Sequence, residues 1–144
     1  MPTIFTRIIS GEIPGTFVWR DDYCVGFLSI NPLTRGHALV VPYDEVEHWI
    51  DLPLHLNRHL MEVSQLIGQA QQAAFPDCQR IGLIIAGYEV PHVHVHVFPT
   101  SSMGQFNFAN AAGSVERADL EAAAEAIREE LRSMGRAEVV SAAS

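Results

Sequence analysis

One stretch of this chain fixes its own geometry. Pro91-His92-Val93-His94-Val95-His96-Val97-Phe98-Pro99 alternates imidazole with an aliphatic side chain for three full periods. A period of two is the signature of extended backbone, where successive side chains point to opposite faces. Val93, Val95 and Val97 then enter a core from one face, while His92, His94 and His96 line the other at spacings of roughly 6 to 7 Å. The fold must therefore supply a sheet with one packed face and one face left for chemistry.

The surrounding sequence supplies the partners. Phe17–Trp19, Cys24–Leu28, His37–Val41, Ile81–Ile85 and Val90–Phe98 are strand-length segments, bounded by turn residues such as Asp21-Asp22, Asn31-Pro32, Gly36 and Ala86-Gly87. Between the third and fourth the period changes. Leu52, Leu56, Leu60, Val63, Ile67, Ala70 and Ala74 mark one stripe of a long helix, and Leu120, Ala124, Ile127, Leu131 and Met134 mark a second helix near the C-terminus. The expected fold class is α+β: a mostly antiparallel five-stranded sheet with one long inserted helix and a C-terminal helix. Residues 1–135 read as a single domain, and 136–144 as a flexible tail.

Composition narrows the function. The 144 residues carry a formal net charge of -8, which argues against a nucleic-acid polymer as partner, since such binding draws on lysine and arginine. A small phosphorylated ligand remains compatible. No apolar run reaches the roughly 20 residues of a membrane helix, and the first residues lack a signal-peptide pattern, so no membrane partner and a cytoplasmic location are expected. Cys24 and Cys78 stand far apart and read as reduced, non-functional thiols.

The histidine row admits three readings. Satisfied surface or core histidines would explain one such residue, but three in strict alternation are a costly choice for packing alone. Zinc bound by two of them, with His37 as a further ligand, is a second reading, although straight strand spacing sets the outer pair roughly 13 Å apart. The third is nucleophilic catalysis at phosphorus, in which one imidazole attacks and its neighbours fix its tautomer, bind phosphate oxygens and protonate the leaving group.

The run also resembles the signature of the histidine triad family. Ile8-Ile9-Ser10-Gly11-Glu12-Ile13-Pro14 is similar to that family's opening segment. Phe27-Leu28-Ser29-Ile30-Asn31-Pro32 followed by Arg35-Gly36-His37-Ala38-Leu39-Val40-Val41-Pro42 is similar to its second block. The resemblance implies a nucleotide phosphate-bond hydrolase or nucleotidyl transferase, acting on a phosphoramidate, a dinucleoside polyphosphate or a related substrate, with a purine nucleotide expected. It implies His94 as nucleophile, His96 on the phosphate oxygens, and His92 and His37 completing the imidazole network near the leaving group. Ile4, Phe5, Ile8 and Phe27 would form the nucleoside pocket, and the working form would be a homodimer. No cofactor is implied.

Several positions depart from the family pattern. Ser29 stands where many members have an acid for the ribose hydroxyls, and Gly87-Tyr88-Glu89 stands where Gly-Gln and a small residue are frequent. Serine offers the ribose no charged acceptor, and Glu89 would repel a phosphate that it faced. Thr3 and Thr6 replace two cysteines, and Glu45 a histidine, that bind zinc in some members, so no structural metal is expected. A His-rich metal enzyme and a nucleotide-binding module with weakened catalysis are the alternatives. His55 and His59 on the long helix read as a solvated face, and His48 as a surface or helix-start residue. Phe106 and Phe108 would either cover a bound base or pack at a dimer seam or on the sheet.

Overall fold

The computed structural model describes residues 1–144. A short helix α1 (Ile4–Ile9) precedes strands β1 (Phe17–Arg20), β2 (Cys24–Leu28) and β3 (Ala38–Pro42). The long helix α2 (Leu54–Ala74) leads to β4 (Arg80–Ile84) and β5 (Val95–Thr100), and the chain closes with α3 (Arg117–Ser133) and α4 (Ala137–Ser141). The five strands form one sheet in the order β1-β2-β3-β5-β4, with every neighbouring pair antiparallel. This is the expected α+β class. No helix is long and apolar enough to cross a membrane.

Period-two alternation sorts the two faces of the sheet. Cys24, Leu28, Ala38, Val40, Val95 and Val97 pack with Leu56, Leu60, Ile67, Ile127 and Leu131 of α2 and α3 in the main core. Val25, Phe27, Leu39 and Val41, the intervening residues, form a second cluster with Phe5 of α1 on the opposite face. Gly26 lets α2 approach, since a Cβ there would lie 2.9 Å from Ile67 Cδ1. The histidines stand on the face that α1 only partly covers.

Three features differ from expectation by more than two residues. β5 begins at Val95, so His92 and His94 precede the strand rather than belong to it. Its pairing with β3 runs from Ala38↔Val97 to Val40↔Val95, and two residues further along β3 Pro42 has no N–H to continue a ladder. The Val93 N–H bonds instead to the Val46 carbonyl at 2.8 Å, and Val93 stays buried beside Val95 and Val97. Helix α1, absent from the expected elements, has six residues, too few to display a period. The tail is corrected as well: residues 137–141 form α4, and Val140 is buried in the main core beside Val139. That apolar pair gives the segment a reason to dock rather than fray.

Candidate active site

The nucleophile candidate is held by its own neighbour. His94 Nδ1 lies 2.8 Å from the carbonyl oxygen of His92. A carbonyl only accepts, so Nδ1 carries the proton and donates, and Nε2 keeps a lone pair. His92 is fully enclosed and spends both ring nitrogens on the protein. Its Nε2 donates to the Pro42 carbonyl at 2.8 Å, and its Nδ1 meets Thr3 Oγ1 at 2.6 Å. Both ring nitrogens of His92 are thus engaged within the protein, and its carbonyl is the acceptor for His94 Nδ1.

A second chain of bonds orients His96. The backbone N–H of Leu33 donates to His37 Nδ1 at 2.9 Å. His37 Nε2 must then carry the proton, and it donates to His96 Nδ1 at 2.9 Å. By the same exclusion His96 keeps its hydrogen on Nε2, as a donor. The His94 and His96 rings are 4.9 Å apart, edge to face, closer than straight strand spacing. A lone pair and an N–H donor thus stand side by side, the pair that an in-line attack on phosphorus with oxyanion stabilisation requires.

Burial disfavours the charged forms of His37, His94 and His96. It pushes His37 down to about 4. It pushes His96 to about 3, with the charges of His37 and His94 adding to the effect. Burial also lowers His94, while the charge of Glu89 and the bond to the His92 carbonyl act in the opposite sense. A buried and a partly buried histidine, both held neutral, make stability fall with acid. The unfolded chain binds protons from pH 6.5 downward, whereas the folded chain resists until about 4 or below, so stability is lost as pH falls through that window. For His37 alone the loss by pH 4 is roughly 3 kcal/mol. Urea midpoints should drop steeply between pH 6.5 and 4.5, and His37→Asn should flatten that slope.

The nucleoside-pocket candidates divide. Phe5 and Phe27 are buried and meet edge to face at 5.8 Å, and Phe5 packs against His94 at 4.9 Å. Ile8 packs on the same cluster, while Ile4 is exposed. Ser29 Oγ accepts the Asn31 N–H at 3.1 Å. Ser29 also lines a cavity of about 480 Å³ with Arg35, His37, Asn110 and Asp119. Tyr88 is 96% exposed and Glu89 is exposed, so neither is fixed by packing.

Further residues surround the histidines. Phe108 packs edge-on against His96 at 4.9 Å, while Phe106 covers Phe98 at 5.1 Å. The first therefore borders the histidine row and the second packs on the sheet. Gln71 of α2 donates to the carbonyls of Gly36 and Val97 at 2.9 and 2.8 Å. It straps together the residues just before His37 and just after His96. His59 is corrected from a solvated residue: its Nε2 is 2.7 Å from Asp21 Oδ2, which also accepts from Trp19 Nε1 at 2.7 Å. Cys24 adjoins the same carboxylate, and burial pushes its thiol up. Asp21 takes backbone N–H bonds from Tyr23 and Cys24 too, so hydrogen bonding accounts for this cluster.

Comparison with known proteins identifies the family and matches the fold. The HIT domain model matches residues 10–103. An uncharacterised HIT-like protein of Methanocaldococcus jannaschii is 35% identical over 99 residues, covering 67% of this chain and 77% of that protein. Adenosine 5'-monophosphoramidase HNT1 of Saccharomyces cerevisiae is 31% identical over 96 residues, covering 67% of this chain and 61% of that protein. A zinc-bound histidine triad family protein from Mycobacterium smegmatis superposes with a TM-score of 0.79 at 25% identity, covering 93% of this chain and 96% of the other. With a matched domain spanning the imidazole row, the second block and all five strands, the chain belongs to the histidine triad (HIT) family.

Proposed function

We propose that this protein hydrolyses or transfers nucleotides through a covalent nucleotidyl-histidine intermediate on His94. The observation that carries the reading is the Nδ1–H donation from His94 to the His92 carbonyl, which leaves Nε2 unprotonated beside the His96 ring. In the first step the Nε2 lone pair attacks the α-phosphorus of a nucleoside 5'-phosphate derivative. A P–N bond forms, the bond from phosphorus to the leaving nitrogen or oxygen breaks, and the leaving group departs with that electron pair, taking up a proton from solvent water. The imidazole becomes an imidazolium whose Nδ1–H is already held by a carbonyl dipole. In the second step water attacks phosphorus and releases a proton to solvent, the P–N bond breaks, and neutral His94 returns with a nucleoside monophosphate as product.

His96 and His37 support both steps without changing charge. The His96 Nε2–H is the donor for a phosphate oxygen, and His37 holds that tautomer. Phe5 and Phe27 supply apolar surface for the base, for which a purine is the expected fit. The yeast relative is named for an adenosine phosphoramidate, which makes a P–N bond the first leaving-group chemistry to test. The working form is proposed to be a homodimer.

A second reading, a binding module with weakened catalysis, is favoured by Tyr88, which stands almost fully in solvent instead of against the histidines. Incubation with adenosine and guanosine 5'-phosphoramidates, followed by ³¹P NMR, separates the two. The enzymatic reading expects conversion to nucleoside monophosphate. Tight nucleotide binding with no product after long incubation would replace it with the binding module.

A further inference from the structure

Support for the histidine row arrives from the N-terminus. His92 Nε2 is occupied by the Pro42 carbonyl, so Nδ1 carries a lone pair and the Thr3 hydroxyl donates to it across 2.6 Å. Thr3 is held in turn. Its backbone N–H donates to Glu45 Oε1 at 2.8 Å, and the Thr6 hydroxyl donates to the same oxygen at 2.5 Å. Thr3 Oγ1 also accepts the Thr6 N–H at 3.2 Å, which caps α1. One carboxylate from the segment between β3 and α2 therefore clasps the first turn of a helix about forty residues away in sequence.

Two contacts run from this clasp to the nucleophile. The His92 carbonyl is the acceptor for His94 Nδ1, so any play in His92 loosens the bond that selects the His94 tautomer. Phe5, one residue inside α1, packs edge-on against both rings, at 5.7 Å from His92 and 4.9 Å from His94. Thr3, Thr6, Glu45 and His92 are a poor donor set for zinc, which favours thiolate, imidazole and carboxylate. Two of the four are neutral hydroxyls, and the imidazole has both nitrogens engaged. Hydrogen bonds do the tying here.

We propose that Thr3, anchored by Glu45, is a positioning residue for the nucleophile, holding His92 and Phe5 so that His94 keeps its proton on Nδ1 and its lone pair on Nε2. The proposal rests on the covalent reading above but is separable from it, because a tautomer can be measured without turnover.

The test uses the full chain labelled with ¹⁵N in its histidines. In the unsubstituted protein the shifts should report His94 as the Nδ1–H tautomer and His92 as the Nε2–H tautomer. Thr3→Val removes the hydroxyl at equal size. It should leave the far-ultraviolet spectrum unchanged, bring His94 to a mixture of tautomers, and slow single-turnover nucleotidyl transfer about tenfold with KM altered less than twofold. Thr3→Ser should restore both readouts. Glu45→Ala, which frees the clasp without touching His92, should shift both in the same direction as Thr3→Val and serves if that variant folds poorly. Unchanged His94 tautomer and rate in Thr3→Val and Glu45→Ala would overturn the proposal. An unsubstituted protein with no turnover would defeat the covalent reading while the tautomer comparison still decided the role of Thr3.

Discussion

His94→Asn should lower turnover by about four orders of magnitude or more, the scale on which covalent enzymes respond to loss of the nucleophile. The choice of Asn isolates the chemistry. Its side-chain amide can donate to the His92 carbonyl as His94 Nδ1 does at 2.8 Å, so the local bond survives while the attacking Nε2 is gone. Nucleotide affinity should change little, because Phe5, Phe27 and His96 remain in place. Steady-state release of nucleoside monophosphate and equilibrium binding, measured on the same preparation, give the two numbers. A variant that kept most of its turnover would place the nucleophile elsewhere.

Gln71→Ala should destabilise the fold by about 4 kcal/mol. Gln71 is wholly buried and donates to two carbonyls, Gly36 in the turn before β3 and Val97 in β5. Truncation withdraws a donor from both and leaves a cavity between α2 and the sheet. Part of the cost is offset, since Gln71 Oε1 has no partner and its removal relieves a buried unsatisfied oxygen. Gln71→Leu refills the volume and should cost about half as much, which separates the cavity from the hydrogen bonds. Urea denaturation of both variants measures the difference. Because the strap flanks His37 and His96, the less disruptive Gln71→Leu should also weaken their 2.9 Å bond, visible as a change in the His37 imidazole shifts.

The sheet and its two long helices were legible because their patterns are local and repeat. Val93, Val95 and Val97 do enter the core, and the α2 and α3 stripes are the residues buried against it. The support of the site was not legible, because it is built from single contacts between distant residues. Thr3 and His92 are 89 positions apart, and His59 and Asp21 are 38 apart. No period marks such pairs. Gln71 did leave a trace: it falls four residues after Ile67, so a polar side chain occupies a position on the apolar stripe of α2. Tautomers were beyond the sequence for a different reason. Which nitrogen of His94, His96 or His37 holds a proton depends on which carbonyl, N–H or ring faces it, and only the folded chain sets those partners.

The most direct test of the central claim is intact-protein mass spectrometry. The protein is mixed briefly with adenosine 5'-phosphoramidate and quenched in mildly alkaline denaturant, under which a phosphorus–imidazole bond persists. Nucleophilic catalysis by His94 predicts a mass increase of one nucleoside monophosphate, lost on acidification and absent from His94→Asn. Product release with no adduct at any mixing time, or an adduct that survives in His94→Asn, would contradict it.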